Sequence, residues 1–392
     1  MSDPGPFPAG VIFRNDVRRT DEQFGIFGEA TVEIVPDTFA VTLGARYYDV
    51  EVDLEGSANS SFCNLSGPNG TDVNAFGTDI SDLYNDDGQI TFRGSCNPAN
   101  QITYTLDTID ANTPAQVVAA LNNAPDAATT NGVILKATAT WTPTDDLLFY
   151  ATYSEGFRPG LLNRPGGAQG PGGFTVPFAL DTDDVTNYEF GWKTQLFNRD
   201  LRFNGSIFYV EIERLQTTIF DPSITNLFFS DNAADAEIWG IEGDIAWRPY
   251  SLTGLTIAGA FSILDTEITD VLTPTNDVLV GSELAFAPGF QGNMRLRYEW
   301  DFAPGFTAHI MPQITHSASS FTDIIEINKY RLDSWTTLGL SAGVATDDWS
   351  IEAFADNLTN ERAEISGTFV NDRARTTVNR PLTVGMRFSA GF

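Results

Sequence analysis

Apolar and polar residues alternate with period two in segments that return from residue 22 to the end of the chain. In 201–210, Leu201, Phe203, Gly205, Ile207 and Tyr209 fall on one side, against Arg202, Asn204 and Ser206. Residues 290–300 set Met294, Leu296, Tyr298 and Trp300 against Asn293, Arg295, Arg297 and Glu299. In 133–141, Val133, Leu135, Ala137, Ala139 and Trp141 oppose Lys136, Thr138 and Thr140, and in 238–248, Ile241, Ile245 and Trp247 oppose Glu242, Asp244 and Arg248. Successive side chains of a strand point to opposite faces, so each segment predicts a strand with one oily and one wet face. The last eleven residues alternate to the end: Leu382, Val384, Met386, Phe388, Ala390 and Phe392 interleave with Thr383, Gly385, Arg387, Ser389 and Gly391.

The pattern predicts thirteen strands: 22–35, 39–55, 132–142, 147–157, 185–197, 201–215, 233–248, 254–266, 284–300, 305–317, 329–345, 348–357 and 380–392. Short turns such as Pro143-Thr144-Asp145-Asp146 and Asn198-Arg199-Asp200 alternate with long connections near 56–131, 158–184, 216–232, 267–283, 318–328 and 358–379. Short turns at one end and long loops at the other are the rhythm of an outer-membrane barrel, with Trp and Tyr girdles at strand ends. The expected fold is therefore an all-β transmembrane antiparallel barrel, its oily face on outer-membrane lipid. Counting back from the last strand, strand 22–35 runs toward the periplasm and residues 1–21 belong to an extracellular loop. Thirteen is odd, whereas a bacterial single-chain barrel has an even count. Further strands are expected on the N-terminal side, which also accounts for a start, Met1 to Pro6, without a secretion signal.

Composition narrows the field. No stretch approaches the ~20 consecutive apolar residues of a membrane helix, so a membrane chain of this kind crosses as β-structure. The formal charge of −30 argues against nucleic acid, whose phosphates need clustered Lys and Arg. Most of the acid lies between strands and reads as solvated loops. The two cysteines, Cys63 and Cys96, share one long connection. In an oxidising compartment they are expected to pair, which adds up to about 4 kcal/mol in the chain-entropy model; the alternative is two free thiols.

Several local motifs resemble the C-terminal barrel of TonB-dependent outer-membrane receptors. They are Tyr150-Ala-Thr-Tyr153-Ser154-Glu155-Gly156-Phe157-Arg158-Pro159-Gly160, Asn187-Tyr188-Glu189-Phe190-Gly191-Trp192-Lys193, Gly240-Ile241-Glu242-Gly243, Asp356-Asn357-Leu358-Thr359-Asn360-Glu361-Arg362, and the closing run from Arg380. Their order across 22–392 carries the resemblance. It implies a 22-stranded barrel filled by an N-terminal plug, and TonB-energised uptake of a scarce small-molecule nutrient, most often a ferric siderophore. By the same resemblance residues 22–392 are the C-terminal portion of that barrel, without plug or TonB-contacting segment, and 1–21 a loop remnant. Two other readings are a passive porin-like channel of about fourteen strands, with an extra strand in 1–21, and a soluble β-rich adhesin whose apolar faces are buried.

Candidate residues follow. Glu189 and Glu242 lie on the wet face by parity, and the resemblance implies that they contact plug arginines. Lys193, four residues from Glu189 on the same face, is the local alternative partner. Ligand contacts are expected where loops descend toward the plug, at Arg158, Arg164, Phe174, Phe220, Phe228 and Phe229. Phe388 and Phe392 are the expected signal for the barrel-assembly machinery. His309 and His316, seven apart, face opposite ways and cannot jointly grip a metal; His309 reads as a wall residue beside Gln313. Asp79, Asp82, Asp86 and Asp87 miss the EF-hand spacing, and residues 114–123 suit a short helix. The chain lacks HExxH, P-loop and CxxC motifs, so neither a cofactor nor an enzyme is expected.

Overall fold

The structure is a computed structural model. It describes residues 13–60, 90–93, 101–113, 118, 121–123, 125, 127–163, 166–167, 173–219, 229–273, 277–370 and 373–391. In chain order the strands are β1 (Phe13–Val35), β2 (Phe39–Ser60), β3 (Ile90–Arg93), β4 (Gln101–Tyr104), β5 (Ala127–Thr144), β6 (Leu147–Arg158), β7 (Asp183–Leu196), β8 (Leu201–Ile219), β9 (Phe229–Trp247) and β10 (Leu255–Val271). They continue as β11 (Phe290–Ala303), β12 (Phe306–Ser317), β13 (Ser320–Phe321), β14 (Arg331–Leu332), β15 (Trp335–Ala345), β16 (Trp349–Asp356), β17 (Glu364–Val370), β18 (Arg373–Val378) and β19 (Thr383–Ala390). Residues 118 and 121–123 are helical, within the segment expected to hold a helix.

Thirteen of the strands form one antiparallel sheet, each paired with its neighbours in sequence, with β1 at one edge and β19 at the other. The remaining six form hairpins β3–β4, β13–β14 and β17–β18 inside three of the long connections. The sheet is open among the described residues. Because the sheet has thirteen alternating strands, its two edge strands, β1 and β19, run in the same direction. The N-terminal boundary differs from the expected one. Residues Phe13 to Asp21 pair with Ser60 to Val52, and so extend β1 rather than forming a loop or a fourteenth strand.

The turns show why the short ends stay short. Phe197, Asn198 and Arg199 all take positive φ (53°, 55° and 70°), which reverses the chain between β7 and β8. Gly254, at φ 89°, brings β10 against β11; a Cβ there would lie 1.9 Å from the Glu299 carbonyl oxygen.

Registers hold the two faces apart over nearly the whole sheet. Leu43, Ala137, Tyr153, Tyr188, Tyr209 and Trp239 are successive cross-strand partners on one side. Phe190, Ile207, Met294, Leu338, Val384, Met386 and Phe388 share that side and are exposed, from 38% at Leu338 to 71% at Val384. No second layer of the described chain covers them, which is the opposite of what a soluble sandwich requires. Among the described residues, two buried clusters lie instead at the long-loop end. One joins Tyr48, Val50, Val52 and Leu54 of β2 to Leu162, and the other joins Val176, Ile219, Phe229, Ala234, Ile268, Val278, Ile324 and Ile325. Long connections thus fold back on one another as a cap over a sheet whose oily face is bare.

Candidate functional site

On the wet face Tyr150, Gly191, Ser206, Glu242 and Ser262 form one cross-strand row, with Thr152, Glu189, Phe208 and Gly240 in the next. The glycines are what allow the aromatics to lie flat. A Cβ on Gly191 would fall 2.2 Å from Tyr150 Cζ, and one on Gly240 would fall 2.1 Å from Phe208 Cζ. Crossing Gly191, the Tyr150 hydroxyl donates to the Glu189 carboxylate. Glu189 is therefore held by Tyr150 rather than by Lys193. Among the described residues neither Glu242 nor Lys193 has a hydrogen-bond or ion-pair partner. Both line a lumenal recess of about 320 Å³ with Tyr150, Asn204 and Asp244. Uncompensated charges of this kind persist in a wall only where water or a complementary surface reaches them.

The wet face carries a second polar group nearer the carboxyl end. His309 Nε2 lies 3.0 Å from Glu352 Oε2, and Arg387 Nη1 donates to Glu352 Oε1 at 2.6 Å. The histidine reaches across Gly343, where a Cβ would meet its ring at 2.7 Å. Arg387 also stacks on the Phe354 ring at 4.3 Å. His309 is thus a wall residue, as parity indicated, but paired two strands away. His316 points to the other face and meets Thr336 at 2.8 Å.

The cap is tied by side chains that alternation does not mark. Arg158 gives its backbone N–H to Asp183 Oδ1 at 2.9 Å and its Nε to Oδ2 at 2.5 Å, while Nη2 reaches the Gln216 carbonyl at 3.1 Å. The Asp183 side chain is 1% exposed. Asn163 donates to the carbonyls of Pro177 and Ser230, both at 2.8 Å, and accepts from Ser230 N at 2.7 Å. Asn232 Nδ2 bridges the carbonyls of Asp181 at 3.0 Å and Arg214 at 2.7 Å. Burial pushes the carboxyls of Asp231 and Asp323 above the usual carboxylate range, against backbone N–H donors that lower them.

Three of the expected ligand-contacting residues, Arg158, Phe174 and Phe229, lie among the described residues. Arg158 is occupied by Asp183, and Phe229, 2% exposed, sits inside the cap with Phe174 at 5.9 Å between ring centroids. Arg164, Phe220, Phe228, the cysteines Cys63 and Cys96, the acidic run Asp79 to Asp87, and Phe392 lie outside the described residues. No group of three or more His, Cys, Asp and Glu side chains suited to a metal ion occurs among the described residues.

An antiparallel sheet with a bare oily face, a charged inner wall, short turns at one end and folded loops at the other defines a wall of the outer-membrane β-barrel class. The chain belongs to the family described as "TonB dependent receptor-like, beta-barrel", whose model matches residues 2–358. Among curated proteins none matches the sequence. Solved structures that resemble it include the ferric yersiniabactin uptake receptor FyuA from Yersinia pestis, with 17% identity and a TM-score of 0.65 over 95% of this chain and 46% of that one. The siderophore receptor PiuA from Acinetobacter baumannii matches with 15% identity and a TM-score of 0.59, over 95% of this chain and 43% of that one. The copper transporter OprC matches with 13% identity and a TM-score of 0.60, over 95% and 49%. The chain spans less than half the length of each, and at these identities the likeness is one of fold.

Proposed function

We propose that this chain supplies barrel wall and extracellular loops to an outer-membrane receptor of a Gram-negative bacterium, one that takes up a ferric siderophore with energy delivered through TonB. The observation that carries the reading is the division of faces: exposed aliphatic and aromatic residues on one side, and Glu189, Glu242, Lys193 and Arg387 on the other. The family supports a receptor, and the likeness to the ferric yersiniabactin uptake receptor FyuA and the siderophore receptor PiuA favours an iron chelate as cargo. In this reading residues 22–392 are the C-terminal portion of the barrel, Glu189 and Glu242 face the plug, and Phe388 and Phe392 present the terminal strand to the barrel-assembly machinery. Cys63 and Cys96 pair within their extracellular loop. The chain acts by binding and passage, without a catalytic step or cofactor.

The test is growth of a strain carrying the gene in its genomic context on single ferric chelates as iron source. Growth on one chelate that is lost on deleting either this gene or TonB supports the reading. Uptake that persists without TonB contradicts the energised mechanism and favours a passive channel.

A further inference from the structure

The oily face is not uniform. Across β6 to β9 four aromatic rings form a continuous ladder: Tyr153 to Tyr188 at 5.4 Å, Tyr188 to Tyr209 at 6.2 Å, and Tyr209 to Trp239 at 4.4 Å between centroids. Beside and beneath it the floor is formed by small residues, Ala137, Ala139 and Ala151, with Phe190 and Ile207 as the far wall. Together they line a shallow, open apolar furrow of about 630 Å³ on the outer surface. Toward the long-loop end of the ladder, Glu211, Glu237 and Glu267 stand directly opposite one another on three adjacent strands. The Tyr209 hydroxyl donates to Glu211 at 3.3 Å, so ladder and carboxylates are coupled.

We propose that this furrow holds one acyl chain of an outer-leaflet glycolipid, with the uncharged sugar headgroup resting on the tyrosine ladder and hydrogen-bonded to Glu211 and Glu237. The proposal rests on the outer-membrane reading above. The furrow is continuous with the lipid-facing band, so its occupant is a lipid rather than a water-borne ligand. Nine residues, Leu201 to Tyr209, separate the turn end of β8 from the ladder, matching the ~9–11 residues with which a tilted strand crosses the hydrocarbon. The ladder therefore stands at headgroup level, where aromatic girdles sit. Like charges directly opposite on a sheet repel, and three carboxylates in register disfavour a phosphate above them. Hydroxyl groups, which donate to carboxylates, fit instead. Tyrosine faces supply the apolar platform on which a sugar ring lies.

The probe is monoglucosyl diacylglycerol, compared with phosphatidylglycerol of the same acyl chains. The full chain is inserted into nanodiscs containing equal amounts of both, released into the gas phase, and weighed with its retained lipid. The expected result is one retained glycolipid, at least tenfold favoured over phosphatidylglycerol. A139F/A151F, which fills the furrow, loses this retention, whereas L338F elsewhere on the lipid face keeps it. E211Q/E237Q, which leaves the furrow open, shifts the preference toward phosphatidylglycerol by several-fold. Equal retention by A139F/A151F, or a wild-type preference for phosphatidylglycerol, overturns the proposal while leaving the receptor reading intact. Failure of the chain to insert, read as full protease sensitivity, overturns both.

Discussion

Single residues in the cap do more than their exposure suggests. Asp183 takes up the Arg158 guanidinium and also accepts the Arg158 backbone N–H, so one buried carboxylate ties β6 to β7. Truncating it leaves a part-buried donor unmet, at about 1–3 kcal/mol. In D183A, hydrogen exchange across 159–182 is expected to quicken accordingly; unchanged protection would show that the contact carries no stability. Asp323 gives a pH-dependent counterpart. Burial raises its folded-state pKa, so the folded loop favours the protonated acid. Stability from that preference is complete below the unfolded pKa and is lost as pH rises through the folded one. Protection of 320–332, corrected for intrinsic exchange, is therefore expected to fall from acid toward neutral pH. D323N, which keeps the Oδ1 acceptor for Ile325 N–H, is expected to flatten that dependence.

At the scale of the strand, a substitution should cost according to its face. Lysine at Ile207, which points to lipid between the midplane and the headgroups, is expected to destabilise the inserted sheet by about 1–3 kcal/mol, whereas exposed lumen-facing positions are largely exempt. Reversible folding into vesicles at graded urea, comparing I207K with N293K at an exposed position of the wet face, checks the difference; equal costs would contradict the assignment of faces. This two-residue period made most of the architecture legible. The edges at β1 and β19, all thirteen sheet strands and the short turns follow from it. The period fails where the chain leaves it. Register breaks between Ile212 and Leu215 and between Ile268 and Asp270 shift the parity of long strands as they enter the cap. Hairpins β13–β14 and β17–β18 are short enough to look like loop sequence. Cross-strand pairs such as Tyr150 with Glu189, or His309 with Glu352, depend on Gly191, two residues from Glu189 on β7, and on Gly343 in the intervening β15. Nothing local marks which glycine an aromatic will cross. Asn163 and Asn232, which fasten the cap, look like ordinary loop residues because their partners are backbone groups tens of positions away.

Among the described residues the sheet is a wall with two unpaired margins. Both run the same way, so joining them directly would make a parallel seam in an otherwise antiparallel sheet. Bare edge strands pair with whatever strand they meet, and the outer face offers no polar shield. In water without detergent the chain is expected to aggregate, read as loss of monomer in sedimentation. A stable detergent-free monomer would count against a lipid-facing surface. The more direct measurement is accessibility along β8, using nitroxides at single cysteines from 202 to 209 in a chain with Cys63 and Cys96 replaced by serine, inserted in vesicles. Collision with oxygen, which concentrates in hydrocarbon, is expected to peak at Phe203, Gly205 and Ile207. Collision with a water-soluble nickel chelate should peak at Arg202, Asn204, Ser206 and Phe208. Accessibility that does not alternate, or oxygen collision confined to the even positions, would contradict the account.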